Sequence, residues 1–206
     1  FLGVGHGIDA LHLLLTDAVQ KAVGVDPYVE DDGSGQGEYE VLRALIDSLR
    51  LTPRFALHAR PIEEWLPGNS EPFSAILCGS VLHHIFETRE RLSASPRFDE
   101  ARRLVRLLNE HTEPDGVCIV TEPERWGLRQ VLVRLGLVRS SIDYASKQPS
   151  SEWRKTFEAE GWALERRMVY VPWSLRGHRQ LLGELGGGIL GLWSACDRTI
   201  CVYRKV

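Results

Sequence analysis

The sequence of 206 residues lacks the features that mark membrane proteins and nucleic-acid-binding proteins. It has no apolar run long enough to span a bilayer, and no basic segment precedes an apolar one at its N-terminus, so we expect neither a membrane span nor a signal peptide. Lysine and arginine do not cluster, and the formal net charge is −3. Proteins that bind nucleic acids neutralise phosphates with clustered cations, so we do not expect a nucleic acid as the main partner.

Cysteine is also scarce, and its spacing is not that of a metal site. The four cysteines are Cys78, Cys118, Cys196 and Cys201, with no Cys-x-x-Cys pair and no Cys/His cluster. We therefore predict no bound metal. Three of these residues lie in apolar, strand-like segments, which favours reduced thiols in a hydrophobic core and a cytoplasmic location.

What is present is typical of one globular domain. Hydrophobic residues make up 43% of the chain and charged residues 26%. The chain is long enough to bury a sizeable core, so we assign residues 1–206 to a single α/β domain. The chain opens at Phe1, inside an apolar segment, and we expect that part of the domain precedes this residue.

A glycine-rich stretch lies close to the N-terminus. Gly3, Gly5 and Gly7 alternate with other residues, and a helical pattern begins at Ile8. A strand, a glycine turn and a helix in this order are typical of a nucleotide-binding corner, because glycine lets a ligand approach the backbone and the helix directs free N–H groups at the turn. The dinucleotide fingerprint Gly-x-Gly-x-x-Gly would need glycine where Ile8 stands. An ordinary glycine turn is the alternative.

Asp26 follows the next apolar segment and precedes Pro27. An acid at the end of a second strand, about 20 residues beyond a glycine loop, is where a ribose diol is commonly held. The two carboxylate oxygens can accept hydrogen bonds from both ribose hydroxyls. The alternative is an aspartate that forms a turn or caps a helix.

Apolar strand-like and amphipathic helical segments then alternate along the chain. Strand patterns lie at 21–27, 55–57, 73–79, 117–121, 164–171 and 199–203, with helical patterns between most of them and a turn at 113–116. This alternation predicts a doubly wound, mainly parallel sheet with helices on both faces. Ligands bind such sheets at the carboxyl ends of the strands, where the glycine loop, Asp26 and the segments 59–62 and 78–84 lie.

The segment 175–195 is rich in leucine and glycine. We interpret it as a helix that breaks into an apolar loop. It covers the site, forms the interface of a homodimer, or packs on the sheet; these interpretations stay open.

The order and spacing of these segments resemble the class I S-adenosylmethionine-dependent methyltransferases, especially those that act on small molecules. The resemblance runs over nearly the whole chain and implies a seven-stranded Rossmann-like sheet and S-adenosylmethionine as cofactor. It further implies that the glycine loop wraps the methionine part of the cofactor and that Asp26 binds the ribose. The other cofactor-site residues that it implies are Pro27, Ile62, Cys78 and Ser80.

Two positions depart from the family's pattern. Phe1 stands where the family usually has an acid, two residues before the first glycine. In the region where the family usually has an aspartate for the adenine amino group, Arg60 is followed by Pro61 and Ile62, and no acid occurs before Glu63.

The implied reaction is methyl transfer to a small-molecule acceptor, with O-methylation favoured. His83 and His84 follow the fourth strand, and one of them is the candidate base that takes a proton from the acceptor. Adjacent helical residues diverge by about 100°, so we expect only one to face the pocket and favour His84. The alternative is a histidine at a helix start that bonds the backbone or a carboxylate. Glu122, at the end of the fifth strand, either touches substrate or bonds backbone.

Two other functions compete with methyl transfer. A nicotinamide-dependent oxidoreductase would share the strand, turn and helix, although Ile8 speaks against it. A methyltransferase-like scaffold that binds a partner without chemistry would agree with the departures at Phe1 and Arg60.

Overall fold

The computed structural model describes residues 1–28, 36–125, 128–137, 139, 143–170 and 198–206. Within these ranges the strands are β1 (Ala22–Val25), β2 (Phe55–His58), β3 (Phe73–Gly79), β4 (Thr112–Pro123), β5 (Trp162–Tyr170) and β6 (Arg198–Lys205). The helices are α1 (Ile8–Leu15), α2 (Gln36–Ser48), α3 (Ile62–Trp65), α4 (Leu82–Ile85), α5 (Phe98–Glu110), α6 (Leu128–Arg134) and α7 (Ser150–Glu158). The segment 175–195 and Cys196 lie outside the described residues.

The sheet consists of two ladders that meet at Leu2. β1 pairs with β2 in parallel, and a second ladder has the order β3-β4-β6-β5. Leu2 forms parallel bridges to Val25 of β1 and to Cys78 of β3, and so joins the ladders. Pairing is parallel from β2 to β4 and antiparallel between β6 and its two neighbours.

This mixed α/β sheet agrees with the predicted fold class, but the predicted count of seven strands is not confirmed. Six strands are described, and the position of the first predicted strand is held by the bridges of Leu2 alone. The layout from edge to edge is β2, β1, Leu2, β3, β4, β6, β5. The chain adds β1 and β2 on one side of Leu2 and the later strands on the other side. An open α/β sheet has its ligand crevice at such a switch in strand order.

Two hydrophobic clusters cover opposite faces of β1. Ala22 belongs to a cluster with α1 and α2, whereas Val23 and Val25 face a larger cluster that includes α5 and α7. Side chains alternate between the faces of a strand, so helices pack on both sides of the sheet, as predicted. In α5 the buried residues Ala101, Leu104, Val105 and Leu108 follow the spacing of one helix face.

The predicted turn at 113–116 is a bulge inside β4 instead. Phe73 pairs with Thr112, but Ala75 pairs with Val117, so four residues of β4 occupy the space opposite one residue of β3. Asp115 has a φ of 61° within this bulge. These turn-forming residues do not end the strand, because the ladder with β3 resumes at Val117.

Candidate functional site

A cleft of about 490 Å³ opens at the carboxyl ends of β1 and β3, beside the glycine loop. It lies beside Leu2, where the two ladders of the sheet meet, which is the usual place of the ligand crevice in such a sheet. Six residues that we predicted from the sequence as cofactor-binding line it: Gly3, Gly5, Asp26, Pro27, Ile62 and Ser80. The structure therefore brings together residues from four separate segments of the chain.

The three glycines of the loop do different things. At Gly5, with φ 47°, a Cβ would meet nothing within 4 Å, so the backbone there faces open space. At Gly7 a Cβ would come within 2.4 Å of Leu42 Cδ1, and at Gly3 within 2.7 Å of Val81 Cβ. Gly7 does not line this cleft but lines an adjoining pocket of about 240 Å³ that shares Gly3 with it, and its lack of a Cβ lets α2 pack closely against the loop. Its role in cofactor binding stays a prediction.

Cys78 is the other predicted residue that does not line the cleft. It is 1% exposed, and its Sγ lies 4.0 Å from Sγ of Cys118 inside the larger hydrophobic cluster. Successive residues of a strand point to opposite faces, so Gly79 borders the cleft while Cys78 faces the core. Cys78, Cys118 and Cys201 are buried free thiols, as predicted, and burial raises the pKa of Cys118 well above its usual value.

Asp26 is 4% exposed and binds the backbone of the glycine loop. Its Oδ2 accepts a hydrogen bond from the Gly5 N–H at 2.9 Å, and its Oδ1 accepts one from the Tyr28 N–H at 2.9 Å. The second bond is the local turn that was the alternative interpretation of this residue. A carboxylate offers about four acceptor positions.

Tyr28 is a residue of the site that sequence reasoning missed. Its hydroxyl donates a hydrogen bond to the Gly5 carbonyl oxygen at 3.1 Å, across 23 positions of the chain. The side chain is buried, and this burial, with a smaller effect of the Asp26 charge, raises the pKa of the phenol. No local pattern indicates this contact, because it depends on the backbone turning back after Pro27.

Ser80 follows β3 and lines the cleft with φ 58°, which is uncommon for a residue with a side chain. Its N–H donates to the carbonyl oxygen of Thr121 at 2.7 Å, and its Oγ accepts from Arg198 Nη1 at 2.8 Å. The end of β3 is therefore tied to β4 and β6 where it meets the cleft.

The two adjacent histidines differ in burial, and only one of them lines the cleft, although their rings are in contact. His84 is exposed and lines the cleft, whereas His83 is buried, with its ring centroid 4.1 Å from that of His84. His83 Nδ1 lies 2.5 Å from Glu122 Oε2, and Glu122 Oε1 accepts the Leu82 N–H at 2.8 Å. His83 is thus a helix-start histidine that bonds a carboxylate, and Glu122 bonds backbone and His83.

Comparison with known proteins finds similar folds among solved structures alone. No family model matches the chain, and neither does any curated protein. Solved structures do match. They include the mitomycin 7-O-methyltransferase MmcR, with 16% identity, a TM-score of 0.59, and 100% of this chain and 48% of that one covered. They also include the cyclopropane synthase MmaA2 from Mycobacterium tuberculosis, with 16% identity, a TM-score of 0.61, and 99% of this chain and 77% of that one covered.

A third match is a SAM-dependent methyltransferase from Archaeoglobus fulgidus, with 11% identity, a TM-score of 0.61, and 99% and 84% coverage. This chain has the class I methyltransferase fold. It spans 48% to 84% of the length of these three chains. The match over 99% or more of this chain agrees with the strand layout and the position of the cleft.

The departures from the methyltransferase pattern fall at different places in this fold. Phe1 does not line the 490 Å³ cleft; it packs against the cluster formed by α1 and α2. Arg60 does not line it either, but Pro61, Ile62 and Glu63 do. Glu63 is therefore an acid at the cleft close to the segment where the family usually has one.

Among the residues that the structure describes, no group of three or more His, Cys, Asp or Glu side chains is close enough to hold a metal ion. His6, in the glycine loop, makes an ion-pair contact of 3.1 Å with Glu38 and lies outside the 490 Å³ cleft. In the same part of the chain, no helix is long and apolar enough to cross a membrane.

Proposed function

We propose that this chain transfers a methyl group from S-adenosylmethionine to a small-molecule acceptor. The observation that carries the proposal is the cleft in the methyltransferase fold, where the open backbone of Gly5 and the Asp26 carboxylate meet. Its volume of about 490 Å³ lies within the range of about 300–1,000 Å³ that small-molecule sites have. A Cβ at Gly5 would project into open space, so the cradle has room for a ligand beside the backbone.

Each part of the cleft suits one part of the cofactor. Asp26 would accept hydrogen bonds from the ribose hydroxyls, and the backbone at Gly3 and Gly5 would lie against the methionine part. Pro27 and Ile62 would flank the adenosine with apolar surface. Glu63 is the acid that stands nearest to the usual position of the adenine partner.

Once bound, S-adenosylmethionine supplies an electrophilic methyl group on its sulfonium. The chain's own residues hold the acceptor's nucleophile in line with that group. Such positioning can be worth about 7–11 kcal/mol of the barrier.

His84 would take the proton of an acceptor hydroxyl, which favours O-methylation. Its ring lines the cleft, and histidine titrates near neutrality, so it can accept a proton at working pH. A base of this kind typically contributes ~10²–10⁴-fold. His83 would position the His84 ring, because the centroids of the two rings are 4.1 Å apart and Glu122 fixes His83 through a hydrogen bond with its Nδ1.

Calorimetric titration with S-adenosylhomocysteine and, separately, with NAD tests this proposal. We expect S-adenosylhomocysteine to bind and NAD not to bind. Binding of NAD alone would make the chain a nicotinamide-dependent oxidoreductase, and binding of neither would favour the non-catalytic scaffold. The organisation of residues 1–206 as one domain, the homodimer and the cytoplasmic location remain predictions, the last supported by the buried free thiols.

A further inference from the structure

Three hydrogen bonds form a closed ring between the glycine loop and the end of β1. Asp26 accepts the N–H groups of Gly5 and Tyr28, and the Tyr28 hydroxyl donates to the carbonyl oxygen of Gly5. Both backbone polar groups of Gly5 are therefore bound by the segment 26–28. Gly5 is also the loop glycine whose backbone faces the open cleft.

The backbone at Tyr28 is unusual for this residue type. Its φ is 50°, in the left-handed region that residues with a Cβ rarely adopt and that costs free energy. This backbone conformation folds the chain back, and the ring then lies over the loop. The ring is 7% exposed, and Tyr39 of α2 packs edge-on against it with centroids 5.2 Å apart.

The chemistry of the phenol suits a permanent donor. Burial raises the pKa of Tyr28 above its ordinary value, and the nearby Asp26 charge adds to this effect. A phenol is already protonated at neutral pH, and the raised pKa extends the pH range in which the hydroxyl can donate to the Gly5 carbonyl.

We propose that Tyr28 is a positioning residue that sets the Gly5 turn in its ligand-binding shape before the ligand arrives. This inference rests on the proposed function for the identity of the ligand, S-adenosylmethionine. Its physical basis is pre-organisation: a loop that is already ordered loses less conformational freedom on binding, so its affinity is higher. The side chain acts through Gly5 and takes no part in the chemical step.

The test compares Tyr28→Phe with Tyr39→Phe. Tyr28→Phe removes the hydroxyl that donates to the Gly5 carbonyl and keeps the ring, whereas Tyr39→Phe removes a hydroxyl from the ring packed against it. The first measurement is amide hydrogen exchange of Gly5 in the ligand-free protein by NMR. The Gly5 N–H itself donates to Asp26, so its exchange reports how often the loop opens. We expect it to be about three- to tenfold faster in Tyr28→Phe, where the loop loses one neutral hydrogen bond at the Gly5 carbonyl, and unchanged in Tyr39→Phe.

The second measurement is the Kd of S-adenosylhomocysteine by calorimetry. We expect about three- to tenfold weaker binding for Tyr28→Phe and wild-type affinity for Tyr39→Phe, with both variants melting within a few degrees of the wild type. In turnover, KM for S-adenosylmethionine should rise while kcat stays the same. A purely structural role would lower the melting temperature and leave Kd of the folded protein unchanged.

The outcomes separate this inference from the proposed function. Equal Gly5 exchange in the wild type and in Tyr28→Phe overturns the inference, whatever the protein binds. Faster exchange with an unchanged Kd overturns the role in binding. If the wild type does not bind S-adenosylhomocysteine at all, the proposed function fails and the binding role of Tyr28 fails with it, while the exchange rates still show whether the ring of hydrogen bonds orders the loop.

Discussion

Two buried carboxylates, one at the end of β1 and one at the end of β4, show how similar chemistry serves different purposes. Asp26 and Glu122 are each 4% exposed, and each accepts a hydrogen bond from a backbone N–H. Asp26 borders the cleft, and it accepts hydrogen bonds from two backbone N–H groups of the loops around it. Glu122 lies behind His83 and does not line the cleft.

The difference follows from what surrounds each strand end. Beyond β1 the chain opens into the cleft, so the carboxylate of Asp26 orders a loop that a ligand can reach. Beyond β4 the short helix α4 from the neighbouring strand covers the carboxylate, with its Leu82 N–H and His83 ring as partners. An acid at the end of a strand therefore borders a ligand site only where the neighbouring elements leave a cleft beside it.

The largest expected effect is on catalysis at the exposed histidine. His84→Ala should lower turnover by ~10²–10⁴-fold, because it removes the base that lines the cleft, and should leave S-adenosylhomocysteine binding intact. The assay is release of S-adenosylhomocysteine with a hydroxylated acceptor that the wild type methylates. If His84→Ala turned over at the wild-type rate across the pH range, His84 would have no catalytic role.

A smaller but clear effect is expected on stability at the end of β4. Glu122→Ala should lower the free energy of unfolding by about 3 kcal/mol, because the Leu82 N–H and the buried His83 ring both lose their partner. Urea denaturation measures the change. The matched control is Glu165→Ala, whose exposed ion pair with Arg204 should contribute about 0–1 kcal/mol. If the two variants were equally stable, the buried contacts of Glu122 would carry no net stabilisation.

The smallest of these effects is on binding at the end of β1. Asp26→Ala should weaken S-adenosylhomocysteine binding by about one to two orders of magnitude, because charge-assisted hydrogen bonds to the ribose are worth ~1.5–3 kcal/mol. Calorimetry gives the Kd, and a melting curve shows whether the domain stays folded. An unchanged Kd together with a lower melting temperature would reassign Asp26 to the local turn that it forms with the Tyr28 N–H.

How far the sequence predicts the site depends on the distance over which each contact acts. The resemblance and the strand pattern placed Gly3, Gly5, Asp26, Pro27, Ile62 and Ser80 at strand ends, and all of them line the cleft. The helical spacing of His83 and His84 was also enough to predict that only one of them lines the cleft. These are local properties of consecutive residues, which periodicity expresses directly.

The sequence does not predict features that depend on a contact across many residues or on which face of a strand a side chain takes. Cys78 faces the core and Gly79 borders the cleft, because a strand turns each successive side chain to the other face. Gly7 looked like its neighbours, but α2 packs on it through Leu42. The bulge at 113–116 kept its turn residues inside β4 because the pairing with β3 resumes beyond it.

The sequence by itself determined the order of the elements, the glycine loop and the acid after the second segment, since each of these is written in a few adjacent residues. Only the tertiary structure decided which groups meet: Tyr28 with Gly5 across 23 positions, and His83 with Glu122 across 39. The physical reason is that a hydrogen bond needs its two atoms within about 3 Å, and that approach depends on how the strands align and on which loops fold back.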